Sequence, residues 1–132
     1  MARIRDIYDI IDAVAPFSTA LDFDNAGLLV GDGNTIVTRA QLALDITPAV
    51  VAEAASMNAN LILSHHPVIF HPVKALTDQT STGRTLLLLA EQGIGAVCAH
   101  TNLDAAQGGV NDCLARALEL DGVELLLSLI HI

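Results

Sequence analysis

The sequence predicts an α/β fold with a mostly parallel sheet and flanking helices, and three observations lead to it. Short apolar runs alternate with segments of helical periodicity, which is typical of β-α-β units with right-handed crossovers. Each apolar run ends at a polar residue, as strands do where a turn begins. The length of 132 residues and the hydrophobic content of 52% fit one domain that buries several apolar faces.

The first predicted elements are a helix and a short strand. Apolar residues recur at helical spacing near the start of the chain, at Ile4, Ile7, Ile10, Ile11 and Val14. Pro16 ends this pattern, so we expect an amphipathic helix before it. Residues 21–33 are rich in turn formers, and their only apolar run, Leu28 to Val30, predicts a short strand at most.

Three units of strand and helix follow. The predicted strands are 42–44, 61–63 and 94–99, and the predicted helices are 49–57, about 82–92 and one after Gly108-Gly109 in which Val110, Leu114, Ala117 and Leu118 share a face. Thr47 and Pro48 are residue types preferred as the cap and first turn of a helix. Polar residues from all three units, including Asp45 and His65, follow the carboxyl ends of the strands, where ligands bind in open α/β sheets. We therefore expect these residues to converge on one edge.

The sharpest local feature is the pair His65-His66 directly after an apolar strand. Adjacent residues of an extended backbone point in opposite directions, so we expect the two imidazoles to hold different ions. Asp104 adds a carboxylate at the same edge, and mixed imidazole and carboxylate ligation suits zinc, manganese or iron. The alternative is that the histidines form a capped or solvent-facing turn and that Asp104 is a turn former.

Other polar and thiol residues have less distinctive patterns. His71 is interpreted as a loop residue, and Gly108-Gly109 as a turn, the alternative being a phosphate cradle at a helix start. Cys98 and Cys113 have no pairing motif, so we expect reduced thiols in the core.

Charge and hydropathy exclude several partners. Six Lys and Arg against 15 Asp and Glu give a formal net charge of -9, and aromatic residues make up only 3%. We therefore expect no direct binding of nucleic acid. No apolar run approaches the roughly 20 residues that span a bilayer, so we expect a cytoplasmic protein without membrane contact.

Four sequence blocks occur in the order seen in a known family. They are Asp24-Asn25-Ala26-Gly27-Leu28, Leu44-Asp45-Ile46-Thr47-Pro48, Ser64-His65-His66-Pro67 and His100-Thr101-Asn102-Leu103-Asp104. From about Ile4 to Leu120, the chain resembles the Nif-three-like dinuclear metal-centre family, whose members are labelled GTP cyclohydrolase type 2 homologues. The resemblance implies the N-terminal half of that fold, two divalent ions per subunit and a toroidal homo-oligomer, a hexamer in full-length members.

The resemblance also implies a ligand set. His65 would serve one ion, and His66 with Asp104 would serve the other. The family's remaining ligands, a His and a bridging Glu four residues apart, have no counterpart here, so we expect this chain to hold ions weakly or not at all. His100 and Asn25 are candidates for groups that support the ligands or orient a substrate.

Two functional hypotheses remain open. The first is a metal-dependent hydrolase of a small substrate, such as a nucleotide or another phosphoester. The second is a non-catalytic metal-binding or regulatory oligomeric module. Residues 127–132 resemble the translation of a transposase adapter used in sequencing libraries, so we take 1–126 as the domain.

Overall fold

The computed structural model describes residues 1–124, which form a four-stranded sheet with helices on both faces. The helices are α1 (Ile4–Val14), α2 (Pro48–Ser56), α3 (Ser81–Gln92), α4 (Thr101–Ala105) and α5 (Val110–Ala117), and the strands are β1 (Gly27–Val30), β2 (Ala40–Ala43), β3 (Leu61–Ser64) and β4 (Gly95–Cys98). The predicted α/β class is confirmed, whereas α4 and a 3-10 turn at Phe17–Thr19 were not predicted. The predicted tail, 127–132, and the boundary at 126 lie outside the described residues. Within those residues, no helix has the length and apolar character that crossing a bilayer requires.

The strand register brings three strand ends level with one another. The order in the sheet is β1-β4-β3-β2, with β2, β3 and β4 parallel and β1 antiparallel to β4. Ala43 lies beside Ser64, and Ser64 lies beside Cys98. The residues that follow these three positions therefore leave the sheet at one edge.

Alternating side chains of the central strands build a core on each face of the sheet. Ile62 and Ala96 pack in one cluster with residues of α2 and α3. Leu61 and Val97 point the other way and pack with Ile4 of α1. The predicted amphipathic character of α1 is thus used to cover one face of the sheet.

Helix ends follow the local sequence chemistry. Thr47 caps α2 by accepting a hydrogen bond from the backbone N–H of Val50 at 3.3 Å, and Pro48 occupies the first turn. Helix α3 ends at Gly93, whose φ of 64° lies in the left-handed region that favours glycine.

The two cysteines occupy different environments, and neither forms a disulfide within the described residues. Cys98 is buried in β4, as predicted, and burial raises the pKa of its thiol to about 12. The predicted core position of Cys113 is wrong, because Cys113 lies exposed on α5, a helix with no buried residue.

A chromogenic disulfide reagent at pH 8 should modify Cys113 rapidly and Cys98 only after unfolding. The Cys98 thiol is shielded, and at a pKa of about 12 it carries little of the reactive thiolate at this pH. Absorbance should count one thiol in the native chain and both in guanidinium. Rapid labelling of a native Cys113→Ser variant would contradict the burial of Cys98.

Candidate metal centre

Three histidines meet at the edge where β3 and β4 end. His65 and His66 follow β3, and His100 follows β4. One ring nitrogen from each lies within 4.8 Å of those from the other two. The ring centroids are 5.1 Å apart for His65 and His66, 5.2 Å for His65 and His100, and 5.7 Å for His66 and His100. We refer to these residues as the three-histidine cluster.

That the two imidazoles hold different ions stays a prediction, but its premise, that the rings of His65 and His66 point in opposite directions, is wrong. It assumed an extended backbone, but β3 ends at Ser64 and the chain bends at His65 and His66. The Ser64 hydroxyl donates to the carbonyl oxygen of His66 at 2.9 Å, and the Cys98 thiol donates to that of His65 at 3.0 Å. These contacts hold a bend that turns both rings toward one site.

Each ring of the three-histidine cluster is oriented through its Nδ1 atom. The Nδ1 atoms lie 2.9 Å from the Ala99 carbonyl oxygen for His65, 2.7 Å from Asp45 Oδ1 for His66 and 2.8 Å from Asp24 Oδ1 for His100. Carbonyl and carboxylate oxygens only accept hydrogen bonds, so Nδ1 carries the proton in each neutral ring. Nε2 is then left with a free lone pair, and metal-binding histidines are held by the same kind of outer hydrogen bond.

Asp104 lies at the margin of the three-histidine cluster. Its Oδ1 atom is 3.6 Å from Nε2 of His65, which is too long for a hydrogen bond. The resemblance groups Asp104 with His66, but in the structure the imidazole within 4 Å of its carboxylate is that of His65. Three imidazoles with free Nε2 atoms and one adjacent carboxylate are a donor set that fits a divalent ion such as zinc.

Helix α4, which places Asp104, was missed because five residues are too few to show a helical period. The buried Asn102 anchors it: its Oδ1 accepts from the backbone N–H of His100 at 2.9 Å, and its Nδ2 donates to the Ala15 carbonyl oxygen at 2.7 Å. Residues 100–104 are thereby fixed to the end of α1.

Asp24 is a site residue that sequence reasoning missed. Its side chain is fully inaccessible to solvent, and its carboxylate accepts from His100, from the hydroxyl and backbone N–H of Thr101, and from the backbone N–H of Asn25. Burial acts to raise the pKa of Asp24, but the hydrogen bonds from Thr101, His100 and Asn25 together hold it below its ordinary value. Asp24 is therefore ionised at neutral pH. Its place in the first sequence block was the available signal.

The remaining candidate residues lie outside the three-histidine cluster. Asn25 Nδ2 donates to the Ile69 carbonyl oxygen at 2.6 Å and so ties the turn before β1 to the loop after β3. His71 is exposed in that loop, with its ring beside Phe70. At the start of α5, the Gly108 N–H donates to Asp112 Oδ2 at 2.5 Å. A carboxylate of the chain thus uses the N–H that a phosphate would need, which supports the turn interpretation.

Comparison with known proteins gives consistent similarities. The sequence pattern of the family described as Duf34/NIF3 (NGG1p interacting factor 3) matches residues 2–128. A Clostridium perfringens protein named GTP cyclohydrolase 1 type 2 homolog is 42% identical over 116 residues, which cover 88% of this chain and 44% of that protein. A Clostridium acetobutylicum protein of the same name is 37% identical over 124 residues, covering 94% of this chain and 46% of that protein.

Solved structures show the same fold. A Bacillus cereus protein related to NIF3 superposes with a TM-score of 0.90 at 38% identity, covering 96% of this chain and 35% of that one. Reduced HcgD from Methanocaldococcus jannaschii superposes with a TM-score of 0.87 at 31% identity, covering 96% of this chain and 50% of that one. The chain spans less than half the length of the two clostridial relatives.

Proposed function

The chain belongs to the Duf34/NIF3 family, and from this premise we propose that it forms part of a divalent-metal centre for metal-dependent hydrolysis. The observation that carries the proposal is the three-histidine cluster, in which each Nδ1 is bonded to an oxygen, so that the lone pair of each neutral ring lies on Nε2. Catalytic zinc sites pair three protein ligands with an open position, which is the donor set offered here.

We propose that His65, His66 and Asp104 are ligands and that the whole family protein holds two divalent ions of zinc, manganese or iron. Such ions supply a Lewis acid and an activated water for attack on a small substrate. The residues of this chain would hold the ions and keep the site rigid. Asp45 contributes to the rigidity by holding the ring of His66.

The proposed substrate is a small molecule such as a nucleotide or another phosphoester. The clostridial relatives are named as homologs of a GTP cyclohydrolase, but none of the contacts described above selects a guanine ring. The substrate class is therefore broader than that name, and we propose neither nucleic acid nor a membrane as a direct partner.

We propose that the whole family protein is a cytoplasmic toroidal homo-oligomer, a hexamer. Exposed apolar side chains on one side of the fold support an interface. They lie on α1, on the edge strand β2 and on the residue that follows β2, at Ile10, Val14, Leu42 and Leu44. Solvent-exposed apolar patches of this kind mark surfaces that bind protein.

A non-catalytic metal-binding module is the second candidate. One observation favours it: the other acceptors around the three-histidine cluster, on Asp24, Asp45 and Ala99, are already bonded to an imidazole. Among residues 1–124, Asp104 is then the one carboxylate beside the cluster that is left to act on a substrate.

A hydrolysis screen tests the proposal. The 132-residue chain and the full-length Clostridium perfringens relative would each be assayed, metal-free and loaded with zinc or manganese, against a panel of phosphoesters and nucleotides. We expect turnover that requires metal. Retained metal with no turnover by the full-length protein would favour the module, and no metal binding by either protein would overturn both candidates.

A further inference from the structure

We propose that His100 is a further imidazole ligand in the metal centre at the three-histidine cluster and that Asp24 is the residue that positions it. This inference rests on the proposed metal binding. A direct bond from His100 to a metal ion differs from support of the ligands and from orientation of a substrate, the two roles expected from its position in the sequence.

The first step is the anchoring of Asp24. An ionised carboxylate with no solvent access is unfavourable unless hydrogen bonds satisfy it, and Asp24 receives four. Three come from Asn25 and Thr101 and fix the carboxylate in place. The fourth comes from Nδ1 of His100, the one ring among these donors.

The second step is the rigidity of the hydrogen-bonded chain behind Asp24. The Thr101 hydroxyl donates to Asp24 and accepts from the backbone N–H of Leu21 at 3.0 Å. The backbone N–H of His100 is held separately by Asn102. Both the ring and the backbone of His100 are therefore fixed, which is the preorganisation that a metal ligand requires.

The third step concerns the other nitrogen of the ring. With Nδ1 protonated toward Asp24, the lone pair of His100 is on Nε2. One ring nitrogen from each of His65, His66 and His100 lies within 4.8 Å of those from the other two. The same tautomer holds for His65 and His66 because of their own Nδ1 partners. Each of the three rings then offers an unprotonated nitrogen to the metal centre. Such an arrangement is favourable around a cation, whereas orientation of a substrate does not require it.

The test combines Zn²⁺ titration with imidazole NMR on the 132-residue chain. Asp24→Asn keeps the side-chain volume, but its amide can turn an NH₂ group toward Nδ1 and change the His100 tautomer. We expect Zn²⁺ affinity to fall about 10–100-fold, as when outer partners of ligating histidines are removed. His100→Ala should lose at least as much affinity, and it leaves the buried carboxylate's other three hydrogen bonds in place.

The matched control is Asp22→Asn, which makes the same charge change at an exposed position of the same turn. It should leave affinity and tautomer unchanged. In the wild-type chain, ¹⁵N shifts should show His100 protonated at Nδ1 without metal, and Zn²⁺ should shift its Nε2 resonance. The NMR measurement uses the wild-type chain, so it does not depend on whether a variant folds. If His100 had only a structural role, Zn²⁺ would not shift its Nε2 resonance.

The outcomes separate this inference from the proposed function. A wild-type chain that holds no Zn²⁺ overturns this inference, and the proposed function is overturned only if the full-length Clostridium perfringens relative also holds none. Zn²⁺ binding that survives both Asp24→Asn and His100→Ala overturns this inference alone. An Nε2 resonance of His100 that Zn²⁺ leaves unmoved does the same.

Discussion

Replacing His65 by alanine should lower the Zn²⁺ affinity of the chain by about 100-fold or more, beyond the loss expected for an outer partner. His65 is central to the candidate site: its ring is 5.1 Å from that of His66 and 5.2 Å from that of His100, and its Nε2 is 3.6 Å from Asp104. Removing it leaves two imidazoles whose centroids are 5.7 Å apart and takes away the ring nearest the carboxylate. A 100-fold loss corresponds to about 2.8 kcal/mol of binding free energy.

Competition with a chromophoric chelator at neutral pH would measure this loss, and circular dichroism would establish that the variant is folded. His71→Ala is the matched control, because it removes an exposed imidazole six positions after His65 in the sequence. His71 is not part of the three-histidine cluster. We expect the control to bind Zn²⁺ as the wild type does. Equal losses in the two variants would mean that binding is a general property of surface imidazoles, and the candidate site would then be rejected.

The sequence predicted those parts of the fold that depend on local pattern. The alternation of strands with helices and the helix cap at Thr47 and Pro48 depend on residues close together in the sequence, and both are present in the structure. The rule that parallel strands end at one edge then placed His65, His66 and His100 near one another. This was sufficient to locate the candidate site without knowledge of any contact.

Contacts between distant segments could not be predicted in the same way. Asp24 and His100 are 76 positions apart, and no periodicity links a turn before β1 to the end of β4. The orientation of the His65 and His66 rings was also missed. Successive side chains point in opposite directions only while the backbone stays extended, and β3 ends at Ser64, one residue before His65. In both cases the missing information was tertiary.

The core behind the site makes the second large prediction. Leu61→Ala should lower the free energy of unfolding by about 2–5 kcal/mol, the usual cost of truncating a buried leucine. Leu61 is 0% exposed and packs with Ile4 and Val97, so its loss leaves a cavity between α1 and the sheet. Whole domains are stable by only about 5–15 kcal/mol, so this change removes a large share of the total. Urea unfolding followed by circular dichroism would measure it.

Leu76→Ala in the loop before α3 is the control, because it deletes the same atoms from a residue that is 53% exposed. It should change stability by about 0.5 kcal/mol or less. If both variants lost the same stability, α1 would not cover the sheet as described, and the end of α1 could not anchor residues 100–104 through Asn102.

His65→Ala lowers Zn²⁺ affinity, whereas Leu61→Ala lowers the stability of the metal-free chain. Zn²⁺ should therefore stabilise the two variants by different amounts. Zn²⁺ that binds only the folded chain stabilises it by about 2.7 kcal/mol at a concentration 100 times the dissociation constant. The wild type and Leu61→Ala should gain the same increment, because Leu61 begins β3, whereas His65 and His66 follow the other end of that strand. His65→Ala should gain little at that concentration. A smaller gain in Leu61→Ala would show instead that the core sets the geometry of the three-histidine cluster, since the cavity would then have reached the ligands through β3.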